Sequence, residues 1–540
     1  MSLQLFVQFL LRHAGPRRRR ILISGVASGL FQGLAIVAIG TSLDAIGAGR
    51  APSLLRTLFF VAGVAGFFIC YRLAMTACSS TMTEAVLDSQ LRIAERLLRV
   101  RYREFLKIDE SRIYDSLMGD KGIVMDAARS FAMGLSSVAI ALCSFAYAAV
   151  VSPAAFGTVV ATLALCGLIY MWGYRTFLTR TELAEAAQGE FASSLDGLLT
   201  GFTELKMNRR KSDDFFDHRV RALHERAAEA KRLTEDQYIV GSVQFSTMIF
   251  FPIGAVLFLL PKFTAIGTEV LINLLGITLL TLVPVMGLVL LVPAASKAWL
   301  AIDALQRFEG ELNSLRDDEE IADPRAPSFE TIEIRHGQFA YPDGGGDGFT
   351  VHIDGFRLKC GEFAMLTGGN GSGKSTFMRA LAGLESLTDG SILVDGRPVS
   401  EIGMDNYRCL FSVLFVDFHL FDSLYGLRVP ATEVERALER LRLVPAVRFD
   451  GRRFSTLNLS SGQRKRLAVV CAELEGRAIL LFDEVAADLD HESREYFYRT
   501  LLPELKRQGR TLLVISHDDR YFDVADRVLT MRDGRFVDLK

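Results

Sequence analysis

Long apolar stretches, nearly free of charge, occur through about the first 300 residues of the chain. An α-helix needs about 20 such residues to cross a bilayer. One run of this length could be a buried core helix, but six of them so close together indicate membrane spans. The first run is too long for a cleaved signal peptide, and five more follow it. The six predicted spans are Ile21–Leu43, Leu58–Thr76, Phe131–Val151, Ala154–Trp172, Ile239–Leu260 and Val270–Val292.

The distribution of basic residues predicts the orientation of these spans. The run Arg17–Arg20 precedes the first span and places the N-terminus in the cytoplasm, because basic residues are retained on that side. Short loops with little positive charge, such as Val151–Ala154, face outward. The long polar connections Cys78–Ser130 and Tyr174–Gln237 then lie inside and are predicted to be helices that extend beyond the membrane. We therefore expect a multi-pass protein of the inner (plasma) membrane whose C-terminal half is cytoplasmic.

The residues within the spans say how the helices pack and what could drive transport. Gly25, Gly29 and Gly33 recur at four-residue spacing, which gives one helix face that a neighbouring helix can approach closely. The few polar residues, among them Gln244, are expected to face the interior and to suit a cavity wall. The spans lack carboxylates and lysines, so a proton relay is an unsuitable energy source. Another source must drive any transport.

The composition changes after residue 300. Charged residues and prolines without apolar periodicity fill Arg316–Pro327, which is typical of a linker. Short alternating apolar runs and helical stretches follow to the end of the chain, an α/β pattern. The predicted fold is an α-helical transmembrane domain of six spans at residues 1–315, a linker at 316–328 and an α/β domain at 329–540.

Overall charge and cysteine content exclude some functions. Lys and Arg number 61 against 63 for Asp and Glu, a net charge of −2, so no strong positive field recruits nucleic acid. The seven cysteines form no C-x-x-C pair, so they predict neither a zinc site nor a disulfide framework. We therefore expect the protein to associate with a lipid bilayer and not with nucleic acid.

A phosphate-binding motif, G-x-x-x-x-G-K-[ST], lies between the predicted strand Glu362–Thr367 and the predicted helix Thr376–Leu384. Its glycines allow successive backbone N–H groups to surround phosphates at a helix N-terminus. Lys374 is expected to neutralise the β- and γ-phosphates of ATP, and the Ser375 hydroxyl to bind Mg²⁺. The predicted nucleotide-binding residues here are Gly368, Gly369, Asn370, Gly371, Ser372, Gly373, Lys374, Ser375 and Thr376.

Two further strand ends carry candidate catalytic groups. The apolar run from Ile479 ends in Asp483, predicted to hold Mg²⁺, and Glu484, predicted to polarise the attacking water. The alternative is an ordinary strand end with a solvated acidic turn. The next apolar run, Thr511–Ile515, is followed by His517, which could contact the γ-phosphate and the water.

A third candidate site opens a helix. In the five-residue segment Leu459–Gln463, a serine hydroxyl and a glycine N–H stand at a predicted helix start, which suits an anion. The alternative is a simple N-cap. The candidate nucleotide contacts here are Ser460, Gly462 and Gln463.

With these motifs, essentially the whole chain resembles the ATP-binding cassette (ABC) transporters, and Leu459–Gln463 is similar to their LSGGQ signature. The resemblance implies that the signature of one subunit covers the ATP held by the other, so the chain would act as a homodimeric half-transporter. It also implies that Tyr341 stacks on adenine and that Asp490 is the D-loop aspartate. Val416 stands where the family usually has a Mg²⁺-binding glutamine, and the adjacent Asp417 is a candidate substitute.

Four cassette segments resemble the cyclic-peptide and siderophore-peptide exporters, a group that includes exporters of pyoverdine precursors, syringomycin-type lipopeptides and lasso-peptide microcins. They are Phe411–Asp422, Leu459–Ala468, Asp483–Asp490 and Ser516–Arg527, although Val485 stands where many members have tryptophan. This resemblance implies ATP-driven export of a compact peptide by alternating access. The alternatives are a lipid or drug exporter and an ATP-gated membrane regulator. Only about twenty residues precede the first span, so we expect no leader-cleaving peptidase domain.

The movement that accompanies closure of two cassettes on ATP must be transmitted to the spans through the polar connections that join one span to the next. We expect short transverse segments near Arg103–Tyr114 and Met207–Phe216 to transmit it. The spans would then switch from inward-open to outward-open, and hydrolysis would reset them.

Overall fold

The computed structural model describes residues 2–47, 49–118, 122–264, 267–316, 325–340 and 350–537. The chain forms two compact units. The first comprises Met1–Ala94 and Ile113–Gly310, and the second comprises Glu95–Arg112 and Glu311–Lys540. The short segment 95–112 therefore groups with the second unit, although helices of the first unit flank it in sequence. Most of the predicted linker 316–328 lies outside the described residues.

The first unit is a helical bundle. Six of its described helical segments are long and apolar enough to cross a membrane, and each overlaps one predicted span, which confirms the helical half of the predicted fold. The helices are α1 (Ser2–His13), α2 (Arg17–Gly47), α3 (Leu54–Leu97), α4 (Tyr102–Phe105, in the second unit), α5 (Glu110–Met118), α6 (Gly122–Val151), α7 (Pro153–Thr200), α8 (Phe202–Met207), α9 (Arg209–Phe215), α10 (Arg221–Met248), α11 (Phe250–Gly254), α12 (Leu260–Phe263) and α13 (Thr268–Ser314).

The fifth span is not one regular helix, unlike the continuous span that the sequence predicts. A π-helical turn, Ala255–Leu259, separates α11 from α12, and the N–H of Leu260 donates to the carbonyl of Ala255, five residues earlier. Pro252 and Pro261 flank the turn. Because proline has no N–H to continue the α-helical ladder, a local change of hydrogen-bond register accommodates it inside the membrane.

The glycine stripe of the first span packs closely against a neighbouring helix, as predicted, and the structure shows that this helix is the third span. A Cβ atom added at Gly29 would lie 2.3 Å from the carbonyl oxygen of Ser136 and 2.5 Å from the Cβ of Ala139. One added at Gly33 would lie 2.7 Å from the Cβ of Cys143. The backbones of α2 and α6 therefore approach so closely that only glycine fits between them.

The second unit is built on a mixed sheet of eleven strands among its described residues, in the order β6-β5-β1-β2-β11-β10-β4-β9-β8-β7, with β3 paired to β1. Strands β10, β4, β9, β8 and β7 are parallel neighbours. The strands are β1 (Thr331–Ala340), β2 (Thr350–Ile353), β3 (Phe356–Lys359), β4 (Phe363–Gly368), β5 (Asp389–Val394), β6 (Arg397–Pro398), β7 (Phe411–Leu414), β8 (Ile479–Asp483), β9 (Thr511–Ile515), β10 (Arg527–Arg532) and β11 (Arg535–Val537).

Helices cover the parallel part of this sheet. They are α14 (Lys374–Leu381), α15 (Val399–Ile402), α16 (Met404–Arg408), α17 (Ala431–Arg440), α18 (Ser461–Leu474), α19 (His491–Tyr496) and α20 (Leu502–Arg507). Every residue of β8 and β9 is buried, which is why both strands read as continuous apolar runs. Parallel strands end at one edge of a sheet, so the residues that follow β4, β8 and β9 are brought together there. This confirms the α/β half of the predicted fold.

Candidate nucleotide-binding site

The phosphate loop connects β4 to α14, the context that the sequence predicts. Gly368 has a φ of +153°, and a Cβ atom there would lie 2.2 Å from the carbonyl oxygen of Met531 in the neighbouring strand β10. Gly373, the N-cap of α14, has a left-handed φ of +98°. Glycine is required at both positions, by close approach at the first and by backbone conformation at the second.

Lys374 is the first residue of α14, and its side chain folds back over the loop. It is 6 % exposed, and its Nζ donates to the carbonyls of Gly368 (3.0 Å) and Gly369 (2.9 Å). Burial lowers the pKa of the Lys374 ammonium, although Glu484 and Asp483 act in the opposite direction. The loop therefore holds a buried cation whose hydrogen bonds can be exchanged for those of a phosphate.

Asp483, the last residue of β8, lies beside Ser375. It is 2 % exposed, and its Oδ1 has no hydrogen-bond partner among the described residues. Burial raises the pKa of Asp483; the Ser375 hydrogen bond lowers it, Glu484 raises it, and Arg379 and Lys374 lower it. A buried carboxylate oxygen without a partner, next to a hydroxyl, is the kind of oxygen donor set that Mg²⁺ takes. The residues present therefore fit the ion.

Glu484 and His517 are brought together because β8 and β9 are adjacent parallel strands. Oε1 of Glu484 lies 2.9 Å from Nε2 of His517. Glu484 has a φ of +50°, an uncommon left-handed conformation for a non-glycine residue, and its N–H donates to the carbonyl of Ile515. Such backbone strain persists where the surrounding structure enforces it, and it aims this carboxylate at the histidine.

A polar network behind His517 was not found from the sequence. Oγ of Ser516 lies 2.7 Å from the Tyr498 hydroxyl and accepts the N–H of Asp518. Arg520 binds the Asp518 carboxylate through two nitrogens and lowers its pKa. These contacts fix the backbone on both sides of His517. Ser516 and Asp518 adjoin the histidine in sequence, but nothing local indicated Tyr498.

The signature segment forms an N-cap, which is the alternative to an anion site. Ser460 precedes α18, and its hydroxyl accepts the N–H of Gln463 (3.3 Å) while the Gln463 side chain accepts the N–H of Ser460 (3.0 Å). This reciprocal pair is a capping box. Gly462 lies close to the loop after β8, since a Cβ there would be 3.4 Å from the carbonyl oxygen of Asp488.

Asp490 has a similar structural position. It is the N-cap of α19, and its carboxylate accepts hydrogen bonds from the N–H and the hydroxyl of Ser493, which lower its pKa. Among the described residues, no hydrogen bond joins Asp490 or Ser460 to the phosphate loop. The structure thus brings together Lys374, Ser375 and the ends of β8 and β9, while these two N-caps bond elsewhere.

Lys465 links the signature helix to the loop after β8, a contact that the sequence does not reveal. Its nearly buried ammonium lies 2.7 Å from Oδ2 of Asp488 and donates to the carbonyl of Glu484 (3.4 Å). In sequence, Lys465 is one of three consecutive basic residues on α18, and only tertiary structure shows which contacts each of them makes.

Three further residues that the resemblance singles out are Tyr341, Val416 and Asp417. Tyr341 lies outside the described residues. The carbonyl of the preceding Ala340 accepts a hydrogen bond of 3.2 Å from Arg103, whose guanidinium also lies over the Phe339 ring at 5.7 Å. Val416 is 52 % exposed and Asp417 is exposed, both just beyond β7.

Comparison with known proteins identifies the cassette and the overall fold. The sequence profile of the ABC transporter family matches residues 352–487. The chain is 31 % identical over 416 residues to the ATP-binding protein SyrD of Pseudomonas syringae pv. syringae, covering 74 % of this chain and 73 % of that protein. It is 35 % identical over 227 residues to the ATP-dependent lipid A-core flippase of Burkholderia orbicola, covering 40 % and 38 % of the two chains.

The fold also matches a solved structure. The structure of a bacterial Atm1-family ABC exporter with ATP bound superposes with a TM-score of 0.72 at 19 % sequence identity, covering 97 % of this chain and 95 % of that one. The architecture of six apolar helices followed by a cassette is therefore shared along nearly the full length. The chain belongs to the ABC transporter family, and it is a multi-pass membrane protein whose cassette hydrolyses ATP to drive transport.

Proposed function

We propose that the protein is a homodimeric exporter that moves a compact, amphipathic peptide out of the cytoplasm across the inner membrane. The observation that carries this proposal is the division of the ATP machinery within one copy. The phosphate loop, Asp483 and Glu484 form one group, and the signature segment is engaged in its own helix cap. A second copy supplies the missing signature donors.

The nucleotide is held by the phosphate loop. The N–H groups from Gly369 to Thr376 surround the phosphates, and Lys374 exchanges its bonds to the loop carbonyls for bonds to the β- and γ-phosphates. Ser375 and Asp483, whose Oδ1 has no partner among the described residues, would hold Mg²⁺, and the ion would supply positive charge to neutralise the phosphates. Tyr341 stacks on adenine.

Glu484 accepts the proton of the attacking water, and His517 positions that water and the γ-phosphate. A carboxylate must lie within hydrogen-bond reach of the water it activates. The contact of 2.9 Å between Glu484 and His517 supports a shared task. The strained backbone at Glu484 and the bonds around Ser516 keep both groups in position without ligand.

The second copy completes the site. Ser460, Gly462 and Gln463 at the N-terminus of its α18 donate to the γ-phosphate, and its Asp490 lies in the loop that follows β8. The capping box at Ser460 fixes the start of α18, and the positive end of a helix dipole favours an anion there, so the Ser460–Gln463 bonds would be exchanged for bonds to the phosphate. Each ATP then bridges two subunits, and its hydrolysis releases them.

Peptide cargo is supported by the resemblance of four cassette segments to cyclic-peptide and siderophore-peptide exporters. The predicted cassette spans residues 329–540, so the 416 residues matched to SyrD extend beyond it into the helical bundle. The 227 residues matched to the lipid A-core flippase are close to the length of a cassette alone, so that match bears less on the bundle. A lipid exporter is the second candidate, on the evidence of the flippase.

The test is transport into inside-out proteoliposomes. We expect ATP-dependent uptake of a cyclic lipopeptide, with hydrolysis stimulated by the same compound, and no uptake of a lipid A analogue. Uptake of the lipid alone would replace the peptide assignment, and hydrolysis without any uptake would indicate a regulator. Light scattering in detergent is expected to give a dimer, and full hydrolysis by a monomer would contradict the shared ATP site.

A further inference from the structure

A cavity in the helical bundle lies where three predicted spans end on their predicted cytoplasmic side. The fourth span ends at Trp172, the fifth begins at Ile239 and the sixth ends at Val292. The residues that line the cavity come from α7, α10 and α13 at these positions. They include Tyr170, Phe177, Tyr238, Gln244, Phe245 and Lys297.

Aromatic rings and uncharged polar groups form most of the wall. The rings of Tyr170 and Phe245 lie 5.6 Å apart, and those of Phe177 and Tyr238 lie 6.1 Å apart. Gln237 and Gln244 add amide groups. A wall of this kind accepts an apolar body and offers a few hydrogen bonds to orient it.

Lys297 is the one charged side chain among the described residues that line this cavity. Its Nζ lies 5.5 Å from the centroid of the Phe177 ring, and no ion pair joins it to a carboxylate in the described part of the chain. A lysine at a membrane boundary commonly extends to the headgroups. Lys297 instead lies over a ring of the cavity wall.

A second cavity shares Phe177, Tyr238 and Lys297 with the first. It adds charges of both signs, from Glu185, Glu235 and Lys231 on α7 and α10. We call the first cavity, with Tyr170, Phe177, Tyr238 and Phe245, the aromatic chamber and the second the polar chamber. Lys297 lies at the boundary between the two. An amphipathic molecule placed across this boundary would have its charged end at Lys297 and its apolar body among the rings.

We propose that the aromatic chamber and Lys297 form a loading site for amphipathic carboxylates, with the carboxylate on the Lys297 ammonium. The proposal rests on the proposed export function and narrows its cargo to compounds with an anionic end, such as a peptide with a free C-terminus. A charge-assisted hydrogen bond to a carboxylate is stronger than the contact with the Phe177 ring that it would join or replace. The position at the cytoplasmic ends of the spans suits a site that is loaded from inside.

The test uses one lipopeptide in two forms, the free acid and its C-terminal amide, so that only the charge differs. Binding is followed without nucleotide in phosphatidylcholine nanodiscs by the fluorescence of Trp172 and Trp299, which are the chain's two tryptophans and lie near lining residues in sequence. We expect the wild type to bind the acid about tenfold more tightly than the amide. Lys297→Gln is expected to lose this preference, while Lys297→Arg retains it.

Lys231→Gln is the matched control, because Lys231 lines only the polar chamber. It is expected to keep the preference for the acid. Equal binding of acid and amide by the wild type, or an unchanged preference in Lys297→Gln, would overturn the proposal. So would loss of acid binding when phosphatidylglycerol is added to the nanodiscs, since the site would then take a lipid headgroup.

Uptake into proteoliposomes separates this proposal from the proposed function. If the wild type prefers the acid in binding but exports neither form, the loading site stands and the export function fails. If both forms are exported equally well and bound equally well, the export function stands and the loading site fails.

Discussion

The ATP site and the aromatic chamber differ in how strongly their binding side chains are buried and held in place. In the cassette, Lys374 and Asp483 are almost fully buried, and backbone geometry or hydrogen bonds fix their positions. In the bundle, Tyr238 is 59 % exposed and Lys297 is also exposed. Charged groups that stabilise a transition state are most effective when the protein fixes their positions before the ligand binds. A cargo site can instead use large apolar surfaces whose contacts tolerate variation.

The two units also differ in what holds them together. In the cassette, strands β8 and β9 are fully buried, so the hydrophobic effect stabilises its core. The bundle exposes apolar side chains such as Phe68 and Val150 on its surface, where lipid is the solvent. Since lipid tails are as apolar as these side chains, helix association depends on close packing of small residues. Different kinds of substitution should therefore destabilise the two units: loss of buried apolar surface in the cassette, and enlargement of small packed residues in the bundle.

The largest expected effect is in the cassette. Replacing Glu484 by Gln keeps the shape of the site but removes the base, so we expect ATP hydrolysis to fall about a hundredfold to ten-thousandfold. Nucleotide binding should persist, because Lys374 and the loop amides are unchanged. Steady-state phosphate release and equilibrium binding of a fluorescent ATP analogue measure the two properties.

Glu401→Gln is the control for this prediction. Glu401 is an exposed carboxylate on α15 in the same unit, so its removal should leave hydrolysis unchanged. Hydrolysis at the wild-type rate in Glu484→Gln would show that another group activates the water.

The same contrast explains what the sequence could reveal. The phosphate loop, Asp483, Glu484 and His517 could be predicted because each is a short motif at the end of an apolar strand, and parallel topology brings strand ends together. The six spans could be predicted because a helix of about twenty apolar residues matches the thickness of a bilayer. The roles of Glu484 and His517 remain predictions, since the structure gives only their geometry.

Other features lie beyond sequence reasoning because they depend on long-range placement. In the sequence, nothing distinguishes Lys465 and Tyr498 from other helical residues. Only the fold brings Lys465 to Asp488 and Tyr498 to Ser516. The aromatic chamber is made of residues from three helices, which lie between positions 170 and 297 of the chain. Single aromatic residues near the ends of spans are common, and no local pattern shows that Tyr170 and Phe245 face one another.

The next largest effect is expected in the bundle. Gly29→Leu would insert a side chain where even a Cβ atom lies 2.3 Å from a backbone oxygen of α6. Forcing the helices apart should cost about 1–3 kcal/mol of folding free energy. We expect a lower melting temperature in nanodiscs and retained hydrolysis below that temperature. Gly157→Leu is the control, since nothing lies within 4 Å of a Cβ there; an equal loss of stability in both variants would refute the packing role of the stripe.

A smaller effect concerns the stability of the metal-free cassette. Burial raises the pKa of Asp483, so the folded state holds this proton more tightly than the unfolded state does. Its contribution to stability is therefore present at low pH and is lost as pH rises from the ordinary aspartate pKa through the raised one. Above that window, Asp483→Asn should be the more stable protein, by about 1 kcal/mol, the typical cost of an unpaired buried polar atom.

Pulse proteolysis of the cassette in urea with EDTA, at a series of pH values, measures this difference. The two proteins should converge toward acid pH and diverge toward neutral pH. Excess Mg²⁺ and ATP should favour the wild type, since an aspartate carboxylate binds the ion more strongly than the asparagine amide of the variant does. Parallel pH profiles for the two proteins would contradict the burial argument.

The smallest expected effect lies in the short segment 95–112 of the second unit. Arg103 belongs to the second unit although bundle helices flank its segment, and it contacts Ala340 and Phe339 just before the predicted adenine-stacking Tyr341. It also lowers the pKa of Glu385, which burial raises. Arg103→Gln removes a guanidinium contact worth about 0.5–1 kcal/mol.

Because this contact joins the segment to strand β1 of the cassette, we expect Arg103→Gln to weaken coupling more than catalysis. Basal hydrolysis should stay near the wild-type rate, while cargo stimulation of hydrolysis and the amount of cargo moved per ATP should fall about twofold to fivefold, the equivalent of that energy. Arg101→Gln, two residues away with an exposed side chain, should change neither quantity. Equal losses of basal and stimulated hydrolysis in Arg103→Gln would instead make Arg103 a structural support of the cassette alone.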